Sequence, residues 1–275
     1  MYRNEAAPNK SHNALLVLLC LATVVVIVMT IITVSSRGIH QAAILDVSAS
    51  SGRPVAEAAE TLEKRHGWAI TYEDPLYVYE SELRDVTLEV RRDLNKYKPG
   101  QAPRVFVPRG GDLAFEYNID PATKQPGDSA AVVQQLLDAY ARTGHPGVFR
   151  LDRTEQRVHI IPIASKNENG VLTPHQSALE AVITLAAQKR NGLQLIEAFC
   201  QVVSAASKTR VVVGSVPLNQ LYQYETDSGA KDQKAREFLS NELDRMTKDV
   251  KLSWQLLYDP LTKSYFLNIH AVKSP

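Results

Sequence analysis

Hydrophobic positions along the chain follow three spacings: one unbroken run, then stretches at helical spacing, then stretches that alternate. From Ala14 to Val34 there are 21 residues without a charge, dominated by Leu, Val and Ile. At about 1.5 Å rise per residue that length spans a hydrocarbon core of roughly 30 Å, which predicts a transmembrane helix over 14–34. Arg3 and Lys10 precede the run and Arg37 follows it, so the basic bias places residues 1–13 as a cytoplasmic tail and the bulk outside the cytoplasm. A cleaved signal peptide is the rival, but the run exceeds the usual h-region and Ser35 to His40 offers no small-x-small site. Cys20 follows Leu19 within the apolar run, so it reads as a lipid-facing residue rather than a lipidation site.

Beyond a short linker the period changes. Ile44 to Ser48 alternates as a strand, and Gly52-Arg53-Pro54 opens a helix with Val55, Ala58, Ala59 and Leu62 on one face. His66-Gly67 ends that helix, and Trp68, Ile70 and Tyr72 alternate into a strand closed by Pro75. Ser129 to Arg142 is a second amphipathic helix capped by Asp128 or Ser129, followed by Gly147 to Asp152 and Arg157 to Ile163 as a hairpin. The same order returns later. Gly192 precedes a helix with Leu195, Phe199, Val202, Val203 and Ala206 on one face, and Lys208 to Pro217 echoes Gly67 to Pro75 through Val211-Val212-Val213. Lys234 to Thr247 is then the second helix, and Leu252 to Tyr258 and Ser264 to Val272 are the closing strands.

The expected fold class is therefore α+β, with an N-terminal transmembrane helix followed by two duplicated small two-helix, mixed-sheet modules. The first module covers 44–163, with a hairpin insertion at about 76–127; a polar linker covers 164–176, and the second module covers 177–273. Inside the insertion, Val105 to Val107 and Leu113 to Tyr117 flank Pro108 to Asp112, which predicts a hairpin turned at Gly110-Gly111. Ala178 to Ala187 reads equally as strand or helix.

Composition narrows the function classes. Thirty-one Lys and Arg balance 30 Asp and Glu, leaving a net charge of +1 with no clustered basic face, so no nucleic-acid partner is expected. With Cys200 the only cysteine outside the apolar run, no intramolecular disulfide is expected there, and its place on a helical apolar stripe reads as packed core. None of the seven histidines forms a His-Glu-x-x-His helix or joins a Cys-x-x-Cys pair, and His159 and His270 read as ordinary sheet-face residues. Gly110-Gly111 lacks the spacing that cradles a phosphate, and neither Gly-x-Ser-x-Gly nor Ser-x-x-Lys occurs. Glu73-Asp74 reads as an exposed turn. No catalytic residue, metal site or cofactor is expected.

The residues Leu45-Asp46-Val47, Pro54 to Ala59, Leu62 and Gly67-Trp68-Ala69-Ile70-Thr71-Tyr72 together resemble the short N-terminal domain of secretins and TonB-dependent transducers. That resemblance implies a small α+β domain, two helices against small sheets, used for protein contact in the periplasm. It is a pattern of a few dozen residues, more specific in the first copy than in the degenerate second one, and the length of 275 residues leaves no room for a secretin pore or a TonB-dependent barrel. The expectation is a single-pass envelope protein of the inner membrane acting as adaptor, sensor or scaffold, its partner another envelope protein or a second copy. A component of a pilus or secretion platform and an envelope hydrolase with an unrecognised site are the alternatives. The candidate contact surface is Arg84, Arg91, Arg92 and Arg109 with Tyr77, Tyr79 and Tyr97, because Arg and Tyr are enriched at interfaces.

Overall fold

The computed structural model describes residues 43–273, apart from 121, 125, 248 and 249. The first half runs β1 (Ala43–Ala49), α1 (Pro54–His66), β2 (Ala69–Glu73), β3 (Leu83–Asp85), α2 (Thr87–Val90), β4 (Phe106–Pro108), β5 (Leu113–Ile119), α3 (Ser129–Thr143), β6 (Val148–Arg153), β7 (Arg157–Lys166) and β8 (Leu172–Pro174). The second runs β9 (Val182–Leu185), β10 (Arg190–Asn191), α4 (Gly192–Ser207), β11 (Val211–Val213), α5 (Leu218–Gln223), β12 (Glu225–Thr226), β13 (Ala230–Lys234), α6 (Ala235–Met246), β14 (Leu252–Asp259) and β15 (Ser264–Ala271).

Each half places two helices between a three-stranded and a two-stranded sheet. In the first, α1 and α3 lie between β2-β7-β6 and the pair β1-β5; in the second, α4 and α6 lie between β11-β15-β14 and the pair β9-β13. Ala58, Leu62, Val133, Leu136, Ile70, Tyr72 and Ile160 pack together in one core, and Phe199, Val203, Leu239, Leu243, Trp254, Leu256 and Leu267 in the other. Each fully buried Leu, Ile or Phe contributes about 1.5–3 kcal/mol by leaving water, so these clusters supply most of the cohesion in place of disulfides.

The expected fold class needs correcting. Among the described residues there are six α-helices and several sheets, and no helix is long and apolar enough to cross a membrane. The anchor expected over 14–34 falls outside the described residues. The two halves also share one continuous sheet of seven strands, in the order β11-β15-β14-β2-β7-β6 with β8 pairing β7. They meet at β14 and β2, which run parallel with Gln255 opposite Tyr72 and Leu256 opposite Glu73.

Other expectations change locally. Gly110-Gly111 does not turn a hairpin: β4 pairs with β3 and β5 with β1, because the glycine pair passes over Ser51-Gly52, where a Cβ on Gly110 would lie 2.1 Å from the Ser51 carbonyl oxygen. The 164–176 segment is the turn and return strand of a β7–β8 hairpin. Ala178 to Ala187 resolves into a 3-10 turn at Ala178–Glu180 and then β9. Glu73 and Asp74 are completely buried rather than exposed in a turn.

Candidate interaction surface at the sheet edges

Strand register fixes which residues of the two halves correspond. Val158 sits opposite Ile70 and Tyr265 opposite Val211; Leu151 sits opposite Ile160 and Leu256 opposite Leu267. Ile70 thus corresponds to Val211, Tyr72 to Val213 and Leu151 to Leu256. Side-chain bonds agree with this alignment. The Ile70 N–H donates to Glu63 Oε1 at 2.9 Å and the Val211 N–H to Ser204 Oγ at 2.8 Å, the acceptor in each case lying on a helical residue seven positions earlier. Gly67 and Lys208 match as left-handed caps, with φ of 65° and 57°.

In this alignment β6 is the counterpart of β14, and β11 the counterpart of β2. The β14·β2 pair is the internal junction, while β6 and β11 stand at the two ends of the sheet. Burial follows the difference. Trp254, Gln255 and Leu256 are buried in β14, but Phe149, Arg150 and Leu151 are only partly buried in β6. Tyr72 is buried in β2, and Val213 is partly exposed in β11.

Charged side chains lock the junction. Asp74, fully buried, accepts from Arg53 Nε at 2.6 Å and from the Tyr258 N–H at 2.8 Å on the same oxygen, and Arg53 Nη2 donates to the Tyr258 carbonyl at 2.7 Å. Burial pushes the Asp74 carboxyl up from its ordinary value, against the pull of Arg53. On the opposite face of the sheet Arg236 donates to Glu73 at 2.8 Å and to Glu180 at 2.5 Å, while the Ser177 hydroxyl donates to Glu73. Burial alone would lower the Arg236 pKa, but Glu73 and Glu180 more than offset it and hold the guanidinium charged. Arg157 spans the halves too, donating to the Leu252 carbonyl and to Asp244. His270 Nε2 lies 2.7 Å from Glu63, and despite the opposing effect of burial this hydrogen bond and charge raise its pKa.

Beside the junction a groove of about 520 Å³ runs between the β6–β7 hairpin and α6, lined by Asp152, His159, Lys234, Arg236, Glu237 and Asp244 among others. Both charge signs are present there. Burial first, then the nearby charges of Arg236 and Arg157, depress His159 to about 3, so the ring is neutral and is held by Thr71 Oγ1 at 2.7 Å. Among the described residues no group of His, Cys, Asp or Glu is placed to hold a metal ion.

The seven residues singled out in the sequence are not one surface. Tyr77 is 2% exposed inside the second core and presents nothing to a partner. Tyr79 packs against Gly170, with Lys166 Nζ 5.6 Å from its ring centroid. Arg91 pairs with Asp93 through two bonds of 3.0 Å and lies over the Tyr97 ring at 5.0 Å, so these two do come together. Arg92 is exposed nearby, Arg84 is paired with Glu89 at 3.3 Å, and Arg109 donates to the Leu83 carbonyl at 3.3 Å. Sequence reasoning missed Glu73, Asp74, Arg53 and Arg236. The only signal for them was the repeat itself, which places Glu73-Asp74 where the second copy has Gly214-Ser215.

Comparison of the chain with protein-family models, with curated proteins and with solved structures returns no match.

Proposed function

We infer that the described region is a non-catalytic scaffold, two fused protein-interaction modules of an envelope adaptor that dock a partner strand at the end of their shared sheet. The observation that carries this reading is the edge of β6, which no strand covers among the described residues. The Thr154 N–H donates to the Arg157 carbonyl at 3.0 Å, which makes that pair a hydrogen-bonded one. Alternation along an antiparallel ladder then turns the N–H and C=O groups of Arg153, Leu151 and Phe149 outward, away from β7. Such a row accepts an added strand through main-chain bonds. The resemblance to the short N-terminal domain of secretins and TonB-dependent transducers supports the same use, as does the two-helix, two-sheet build of each half.

A photo-reactive residue at Arg153, in the cells that make the protein, tests this directly. The expected result is one crosslinked species that is absent with the same probe at Glu116, on the exposed face of β5, and absent when Leu151→Pro removes an outward N–H. Equal labelling at both positions, or none at Arg153, overturns the reading.

A further inference from the structure

The partner that fits this edge is written into the chain. Successive three-stranded units of the sheet are related by a half-turn about an axis running across the strands. The order helix-side strand, last strand, penultimate strand is kept, as β11-β15-β14 and then β2-β7-β6. Strand direction reverses, because β11 runs antiparallel to β14, which runs parallel to β2. The helices change face as well. Tyr72 packs on α1 and α3 and shares its face with Gln255, whereas the flanking Trp254 and Leu256 point into the core of α4 and α6.

A half-turn of this kind does not close on itself. Its two surfaces are different, the β14 type and the β2 type, and inside the molecule one of each is consumed. The other two remain at the ends as β6 and β11. A second half-turn restores the starting orientation, so another copy of this chain, set beyond β6 in the same orientation, would present β11 parallel to β6 as β2 is presented to β14. Heterologous surfaces that do not close produce open assemblies.

We propose that copies of this protein associate head to tail, β6 of one pairing in parallel with β11 of the next, in the geometry of its own internal junction. The proposal rests on the reading of β6 as a docking edge and names its partner as a second copy. The β11 edge is compatible with it. Val213, the counterpart of Tyr72, alternates with residues bonded to β15, since Tyr265 N–H donates to Arg210 and Gly214 N–H donates to Leu267. Its own N–H and C=O therefore point outward. Val211 is held by Ser204, as Ile70 is held by Glu63 and Ser253, so the internal junction also begins its ladder only at Tyr72. The charged locks are not repeated: Asp74 is replaced by Ser215 and Glu63 by Ser204, and the Ser215 N–H is engaged by Asn268 at 2.7 Å. The contact between copies is accordingly short, reversible and dependent on concentration, unlike the permanent junction it copies.

One step further along the junction register than Leu256 and Glu73 lie Leu257 and Asp74, whose counterparts are Asp152 and Ser215, both exposed. Cysteines at those positions would meet only in the head-to-tail arrangement. The full chain carrying both Asp152→Cys and Ser215→Cys is expected to give a ladder of disulfide-linked dimers, trimers and longer species under a mild oxidant. A mixture of the two single variants should stop at the mixed dimer, and Leu151→Pro or Val213→Pro should abolish the ladder while circular dichroism stays unchanged. Efficient dimers from Asp152→Cys alone would mean that β6 pairs with itself, which overturns head-to-tail association but leaves the docking edge. A photo-crosslink from Arg153 to another protein, with no ladder at high concentration, overturns self-association alone. Absence of both the ladder and the photo-crosslink removes the docking edge with it.

Discussion

The strand pair in the middle of the sheet and the two strands at its ends share one design, yet they differ in what surrounds them. At β14·β2 the Asp74, Glu73, Arg236 and Arg157 side chains are buried and each bonds an opposite charge, Arg53 for Asp74, Asp244 for Arg157 and one another for Glu73 and Arg236, although Asp74 Oδ1 and Arg157 Nε find no partner. On β11 the positions matching Asp74 and Glu73 are Ser215 and Gly214, and on β6 Phe149, Arg150 and Leu151 are only partly buried. Buried charge is costly unless paired, so it marks a contact that never opens, whereas edges that meet and part must keep their polar groups solvated. On the head-to-tail proposal, the difference separates an interface joined within one chain from one left to concentration.

The strongest way to break the comparison is to remove one partner of the buried ion pair. Arg236→Met leaves Glu73 uncompensated at 1% exposure and is expected to cost about 3–5 kcal/mol, read as the shift in urea midpoint. The double change Glu73→Gln with Arg236→Met should recover most of that loss. A single-variant cost below about 1 kcal/mol would show that the junction is held by packing alone.

Next in size is a matched pair of truncations. Leu256 is 1% exposed and Leu151, its counterpart, is only partly buried. Leu256→Ala is expected to destabilise by about 3 kcal/mol and Leu151→Ala by about 1 kcal/mol, because the cavity left at the edge is already open to water. Equal losses would mean that β6 is as enclosed as β14.

Acid sharpens the contrast further. His159 corresponds to Phe266 of the second half, and its pKa is depressed to about 3 by burial and by Arg236 and Arg157. Between its ordinary value of 6.5 and that depressed value, the unfolded chain binds a proton that the folded chain refuses. Stability is therefore fully present above 6.5 and falls on acidification, by up to about 1.4 kcal/mol per pH unit. His270 has the opposite sign: its raised pKa gives stability that is present below 6.5 and lost as pH rises through the folded value. Thermal midpoints from pH 6 to pH 4 should fall more gently in His159→Phe than in the parent, and parallel curves would sink this assignment.

How much of this was legible in the sequence depends on the range of the interaction. Helical stripes such as Val55, Ala58, Ala59 and Leu62, and alternations such as Trp254, Leu256 and Tyr258, are local, and so was the repeat they compose. Strand partnering was not. Val105 to Val107 and Leu113 to Tyr117 are neighbours in sequence, but Phe106 lies opposite Asp85 and Leu113 opposite Ala49, pairings set by tertiary packing. The junction residues were least visible. Glu73-Asp74 before Pro75 has the composition of an exposed turn, and only the partners Arg53 and Arg236, 21 and 163 residues away, make its burial tolerable.

The smallest test compares the caps of α1 and α4, where the copies place different residues in the same backbone conformation. Gly67 at φ 65° pays no steric penalty, whereas Lys208 at φ 57° carries a Cβ in a region where L residues are strained by about 1 kcal/mol. Lys208 is exposed and its side chain contributes no core packing, so its substitution isolates the backbone effect. Lys208→Gly gains the relieved strain but loses part of it to the greater freedom of glycine in the unfolded chain, for a net stabilisation of about 0.5 kcal/mol. Gly67→Ala should destabilise by about 1 kcal/mol, because alanine meets the same strain with nothing gained but stiffness. Differential scanning calorimetry of both variants would read opposite signs from equivalent positions. Like signs would mean that the two caps are not the same structural position, and the register alignment that assigns Tyr72 to Val213 would have to be shifted with them.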